Sequence, residues 1–276
     1  MDQKQTLVLW GRCEAARAAA LTGAQAAGKG EDAAREFAHA AAGAVWDDWT
    51  QPLLNQRNDM EADGSWAADL DPGGQLYGQN PETSAWLDRA KAVFSTCETP
   101  HSFETDFDCR DWVFPGSVGF EGATFACDAL FEGAEFAGPA WFERSTFKGK
   151  AEFRLATFVG TTIFDEATFS GKALFDVVTF PDAASFAGAA FNGVALFERA
   201  TFKSLAMFTG ATFADDAEFG LAEFKATAVF AAVTFFGIAR FGDAIFNGDA
   251  TFEGATFGAA TNFQNARFEG VALGLP

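Results

Sequence analysis

Apolar and polar positions are not distributed alike along the chain. From residue 103 to residue 268 a single large apolar side chain returns at steps that alternate strictly between five and six, so the full period is eleven. The register has 31 positions in that span, and 30 of them hold Phe; the remaining one is Cys109. Only Phe37, Phe94, Phe107 and Phe236 lie outside it. A second regularity stands two residues before each Phe. Of the 28 such positions from Phe120 to Phe268, 22 are Ala, and the others (Val118, Ser145, Thr162, Val178, Val233, Thr261) are compact.

Repeats of this kind decide an architecture before any single residue does. An eleven-residue period also suits a right-handed coiled coil. In a helix, however, a five-residue step turns by about 500°, so successive Phe would face different sides. Thr before Phe and Gly in the spacers disfavour helix as well. In extended backbone, residues two apart share a face. Ala and Phe then point inward together, the residue between them points out, and the spacer turns a corner. Glycine is frequent there, at Gly122, Gly133, Gly149, Gly160, Gly171, Gly193, Gly248 and Gly254. Two units per turn would leave no room for two inward rings, so four units of 22 residues predict a four-sided coil. Phe stacks on Phe at the strand spacing of about 4.8 Å. The 154 residues from Phe114 to Phe268 predict seven such coils.

Units such as Ala123-Thr124-Phe125 and Ala211-Thr212-Phe213 resemble the pentapeptide-repeat family, whose units read roughly A(D/N)LxX around a central Leu or Phe. The resemblance covers about residues 100 to 268. It implies a mainly β fold, a right-handed quadrilateral β-helix, with one extra residue at alternate corners because the spacing alternates between five and six.

Before about residue 98 the chain is Ala-rich and the register is absent. Phe37, Ala41, Val45 and Trp49 lie four apart and predict one helical face, and Pro52 is expected to interrupt or restart that helix. Asn80-Pro81-Glu82 reads as N-cap, Pro at the first helical position and an acid in the first turn, followed by an apolar stripe of Leu87, Ala90, Val93 and Phe94. Asp71-Pro72-Gly73-Gly74 is a turn signal. The expected organisation is an α-helical region over residues 1–98, of three or four helices, capping a β-helix over residues 99–276. An open apolar solenoid end with strand edges invites aggregation, which is the reason for a cap. Trp46, Trp49, Trp66 and Trp86 would supply its apolar surface. Residues after Phe268 are too few to cover the other end, so that end is expected to pack on a second copy, giving a homodimer.

Composition narrows the function classes. Asp and Glu number 38 against 19 Lys and Arg, a net charge of −19. That balance argues against direct nucleic-acid binding and against docking on anionic lipid. No run of apolar residues is long enough to span a bilayer, and Met1 to Trp10 carries no secretory pattern. The four cysteines (Cys13, Cys97, Cys109, Cys127) form no CxxC pair and read as reduced thiols of a cytoplasmic protein. Neither His39 nor His101 has a metal-ligand spacing, although His101 with Cys97 could make half a site. No nucleophile motif or phosphate-binding loop is present, so neither catalysis nor a cofactor is expected. Cys109, standing where a core Phe belongs, reads as a buried small hydrophobe.

The outward positions are left to carry function. The column Thr124, Thr146, Thr168, Ala190, Thr212, Thr234 and Thr256 is accounted for by the β-propensity of Thr. Trp141, Ile163, Met207 and Val229 form an apolar column, broken by Ser185, with Leu130, Glu152, Leu174 and Leu196 opposite. Exposed apolar rows mark interfaces. Two further columns are acidic: Glu121, Glu143 and Asp165, and Glu132, Asp176 and Glu198, the second interrupted by Arg154. Stacked like charges repel, so folding alone does not favour them. The family resemblance gives such columns one further meaning, because some pentapeptide-repeat proteins are duplex-DNA mimics that bind type II topoisomerases. The expected function is a noncatalytic interaction or scaffold module with an unidentified protein partner; a topoisomerase-directed DNA mimic is the alternative.

Overall fold

The computed structural model of the chain describes residues 1–70, 76–95, 100–258 and 260–276. The Asp71–Gly74 turn signal and Cys97 lie outside the described residues. Alternating spacing resolves into a four-sided β-solenoid of about eight turns: three parallel sheets of eight strands and one of nine. From Ser102 onward strands pair 22 residues apart, as Thr146↔Thr168 and Phe147↔Phe169 show. In one regular coil the first face is Val118–Phe120, the second Thr124–Phe125, the third Ala129–Leu130 and the fourth Glu135–Phe136, and each recurs every 22 residues. The extra turn over the expected seven comes from residues before Phe114.

Two kinds of corner explain the five–six alternation. In the short step, residues 121–122 close a tight turn in which the Ala123 N–H donates to the Phe120 carbonyl at 2.9 Å. Gly122 takes φ +71° there, the left-handed region that glycine enters without a Cβ penalty. The long step uses three residues, as at 126–128. There glycine answers a different demand: a Cβ on Gly149 would lie 2.6 Å from the backbone of Cys127 one coil below. Corner acids also bind coil to coil. Oδ1 of Asp128, Asp216 and Asp249 accepts the N–H of Lys150, Ile238 and Val271, 22 residues on.

Inward, each Phe lies nearly parallel on the one 22 residues away and edge-on or tilted to its neighbours in the same or adjacent coil. Phe169 and Phe191 have centroids 4.7 Å apart at 2°, and Phe175 meets Phe186 at 84°. Register Phe from 103 to 252 are buried, and the Ala two residues earlier leave the room for them. This geometry suits ring quadrupoles and leaves no partner for a phenol hydroxyl.

Three helices precede the solenoid: α1 (Gln3–Ala26), α2 (Glu31–Asp63) and α3 (Pro81–Ala90). A capping box between Asp2 and Gln5 starts α1. Asn80 caps α3, its side chain accepting from Thr83 N–H, with Pro81 at the first position as its sequence predicts. Two helical expectations are corrected. Pro52 does not break α2, which runs through it; buried Trp46, Thr50 and Leu53 on either side hold the helix together. Its buried face is Ala34, Ala38, Ala42, Trp46 and Thr50, one residue out of phase from the expected stripe, and Phe37 is 51% exposed. The buried face is the one lined by small alanines, which let α2 approach its neighbours closely.

The apolar stripe of α3 also stops short. The helix ends at Ala90, and Val93 and Phe94 belong to a strand, Ala92–Ser95, that pairs with Val118–Phe120. The solenoid sheet thus starts within the first 98 residues. Phe94 leaves the register but enters the core, stacked on Phe120 at 4.6 Å and 7°. Phe107 enters it too. In the first full coil the large and small positions are exchanged: Phe107 aligns with Ala129, while Cys109 takes the Phe position and is fully buried.

Helices α1 and α2 place Leu9, Trp10, Cys13, Ala42 and Trp46 against the first coils of the solenoid core. Trp10, which sequence inspection does not single out, stacks on Phe107 at 4.2 Å and 20°. Trp46 stacks on Trp112 at 5.0 Å and donates its indole N–H to the Val113 carbonyl at 2.7 Å. Trp66 and Trp86 do not cover this end; they form a separate cluster with Leu53 and Met60. At the opposite end Phe257, Phe263 and Phe268 are only partly buried and Leu273 is 46% exposed.

Candidate interaction surfaces

Outward residues acquire neighbours only through the coil. The column Trp141, Ile163, Met207 and Val229 runs down the first face, through Ser185. Glu121, Glu143 and Asp165 stand on the corner bounding that face, so these two predicted groups form one surface. Glu132, Asp176 and Glu198 stand on the diagonally opposite corner, between the third and fourth faces. The solenoid does not bring the two acidic columns together.

The apolar column is less open than its sequence implies. Trp141 is buried, with Lys91 Nζ 5.5 Å from its ring, and Ile163, Met207 and Val229 are half-buried. The acids differ among themselves. Glu121 folds back over Gly119, where an added Cβ would lie 2.5 Å from Oε2. That oxygen is buried without a hydrogen-bond partner. Burial pushes its carboxyl up to about 7, opposed by its own backbone hydrogen bond and reinforced by Glu143. Burial also raises Glu143, with Asp165 adding to it. Asp165 is engaged internally, with Oδ1 accepting from Ala187 N–H at 3.0 Å and from the Ser185 hydroxyl. Burial raises Asp176, opposed by Arg154 and reinforced by Glu198, which is exposed.

A polar cluster that no sequence pattern announces joins the cap to the third face. His39 of α2 lies with Nε2 2.9 Å from the Arg110 carbonyl and Nδ1 3.3 Å from Asp108 Oδ1. Arg110 grips the Asp108 carboxylate through Nε and Nη2 at 3.0 Å and reaches Glu36 at 3.3 Å. Arg17 of α1 donates to the Asp108 carbonyl and pairs with Glu14 at 3.2 Å. Burial of Asp108 works against its charge, but hydrogen bonds from His39 and Arg110 win and hold its carboxyl well below the usual range. Beside this cluster runs a mixed-charge groove of about 630 Å³. The signal was weak because His39 and Asp108 are 69 residues apart and share no motif.

His101 packs edge-on against Phe103 at 4.7 Å. Among the described residues no group of three or more His, Cys, Asp or Glu is placed to hold a metal ion. No helix among them is long and apolar enough to cross a membrane. Cys13, Cys109 and Cys127 are free thiols.

The repeat itself has a known counterpart. A family model described as pentapeptide repeats (9 copies) matches four overlapping segments, residues 110–157, 131–179, 175–222 and 208–256. The chain belongs to the pentapeptide-repeat family. Those segments together span more than half of it and coincide with the regular coils, while the cap and the first coil, with its exchanged Phe107 and Cys109, lie outside them. No curated protein and no solved structure matches the chain significantly. The pentapeptide-repeat solenoid is therefore the identity that sequence and coil geometry share.

Proposed function

We propose that this pentapeptide-repeat protein is a noncatalytic interaction module that presents ordered side-chain columns to a protein partner in the cytoplasm. One observation carries the reading: the solenoid interior is filled by stacked Phe and Ala, so its chemistry is offered outward, in rows repeating at about 4.8 Å. Free thiols fit a reducing compartment. Affinity capture with the immobilised full chain, eluted by excess free chain, tests the proposal. A partner that saturates and is displaced by free chain is the expected result. No saturable binder in the native extract would remove the reading.

A second reading has its own support. Acidic columns on diagonally opposite corners of a rod suit a mimic of duplex DNA directed at a type II topoisomerase. Glu121, pushed up to about 7, and Asp165, engaged with Ala187, weaken it. A gyrase supercoiling assay decides, and no effect at micromolar protein removes this alternative.

The module is further proposed to act as a homodimer through its C-terminal end. Trp10 and Trp46 cover one end, whereas Phe257, Phe263 and Phe268 are partly open at the other. With a single open end, association closes at two copies instead of propagating. Light scattering tests this, and a strictly monomeric chain would sink it.

A further inference from the structure

Trp66 and Trp86 take no part in covering the solenoid end, yet they are gathered in one place. With Arg57 they form the cap-side wall of a cavity of about 220 Å³ between the helical region and the corner that leads from the fourth face to the first. Its floor is backbone, at Gly116, Gly138 and Gly160. Close stacking explains the bare floor: a Cβ on Gly138 would lie 2.7 Å from the Gly116 backbone, and one on Gly116 2.8 Å from Ala90 of α3. Along this corner the residue after each Phe reads Pro115, Ala137, Val159 and Pro181, then Lys203 and Lys225. The column is apolar alongside the cavity and turns basic beyond it, and Val159 stands 45% exposed on the solenoid side of the lining.

Two charged groups line the cavity, one from each wall: Arg57 of α2 and Asp182 of the solenoid corner. The Arg57 guanidinium lies 4.9 Å from the Trp66 ring and 5.8 Å from that of Trp86. Its Nε is engaged with Glu61 at 2.8 Å, and Glu61 does not line the cavity. Among the described residues, neither the Arg57 Nη groups nor the Asp182 carboxylate makes a hydrogen bond. A cation on one wall and an anion on the other, with aromatic and apolar surface between, suit a zwitterion; a ligand of either single sign would be repelled by one of them. Tryptophan walls favour an aromatic body through edge and offset contacts. Volume sets its size. An apolar cavity of about 150 Å³ holds benzene, so one of about 220 Å³ takes a single ring with its head group at the mouth. Drug-sized ligands, which fill about 300–1,000 Å³, are too large. We infer that this cavity binds a free aromatic amino acid, its ring against Trp66 and Val159, its α-carboxylate on Arg57 and its α-ammonium on Asp182. The inference is independent of the interaction-module reading.

Isothermal titration of the full chain tests it with L-phenylalanine, with 3-phenylpropionate, which lacks the ammonium, and with phenethylamine, which lacks the carboxylate. L-Phenylalanine is expected to bind with a Kd between about 10 µM and 1 mM, the range open to a ligand of about twelve heavy atoms. Each analogue should bind about tenfold or more weakly, because it leaves one charged group of the site unpaired. Asp182→Asn should erase the preference over 3-phenylpropionate and keep the preference over phenethylamine. Arg57→Gln should do the reverse. A damaged fold would weaken all three ligands together, so the exchange of preferences separates a binding role from a structural one. Because Asp182 makes no hydrogen bond among the described residues, its variant should also keep its unfolding midpoint within about 2 °C. No binding at about 10 mM amino acid, analogues that bind as tightly as L-phenylalanine, or variants that keep both preferences overturn the site. Equal binding of N-acetyl-L-phenylalanine overturns it too, since the ammonium then contributes nothing.

Discussion

Removing one ring from the middle of the solenoid should cost far more than removing one from its end. Phe186 is fully buried. It lies parallel to Phe164 and Phe208 at 5.1 and 5.0 Å, and edge-on to Phe175 and Phe197 at 5.3 Å. A buried Phe→Ala change costs about 3–5 kcal/mol through lost transfer energy and the cavity left behind. Four aromatic contacts, each worth about 0.5–1.5 kcal/mol beyond area, place Phe186→Ala at the upper end, about 5 kcal/mol. That is comparable with the whole stability of many domains, about 5–15 kcal/mol. Phe268 is partly exposed, with one parallel neighbour, Phe246 at 4.7 Å. Its change to Ala should cost about 1–2 kcal/mol. Urea unfolding followed by two probes measures both. All seven Trp lie at or before residue 141, so fluorescence reports the cap and first coils, while far-ultraviolet dichroism reports the whole rod. Stacked repeats couple mainly to their neighbours, so the central lesion should also separate the two transitions. A cost for Phe186→Ala no greater than that for Phe268→Ala would refute the stacked-column account.

Other outcomes are equally definite. The Glu121 carboxyl is raised in the fold above its unfolded value of about 4.3, so its contribution is full below that value and is lost as pH rises toward 7. Glu121→Gln should flatten that part of the profile and stabilise the protein at pH 8 by about 1–2 kcal/mol, a figure reduced for solvent screening of a half-buried group. Asp108 is lowered, so its contribution is present above about pH 4 and is lost as pH falls. Asp108→Asn should weaken cap docking at pH 7 by about 2 kcal/mol and remove this acid dependence, read by tryptophan fluorescence. Trp10→Ala should cost about 3 kcal/mol and raise aggregation, because it uncovers Phe107. Phe107→Ala and Cys109→Phe should each destabilise, and the double variant, which restores the repeat's order of small and large, should cost at least about 1 kcal/mol less than their sum.

What the chain reveals unaided follows from periodicity. Ala-x-Phe at alternating steps admits one solution in which every Phe faces inward, so face, register and coil length are all readable from residues 103–268. Parallel pairing 22 residues apart converts each sequence position directly into a place on the rod. The outward columns of Glu121 and Trp141, and of Asp176, are legible for the same reason. Where the period fails, folding is decided by contacts the chain cannot show. Phe94 and Phe107 join the core because the first coil has no coil below it and needs volume that Cys109 does not supply. Pro52 stays inside a helix because tertiary packing outweighs its local cost. The four-residue spacing of Phe37, Ala41, Val45 and Trp49 marks α2 as a helix, but tertiary packing buries the neighbouring face of Ala34, Ala38, Ala42 and Trp46. His39 and Asp108 met only once the cap was docked. Leu155, Val177 and Leu221 sit at corners, but their left-handed backbone and exposure are tertiary facts: a torsion is imposed only where a coil closes, and exposure exists only where nothing packs above.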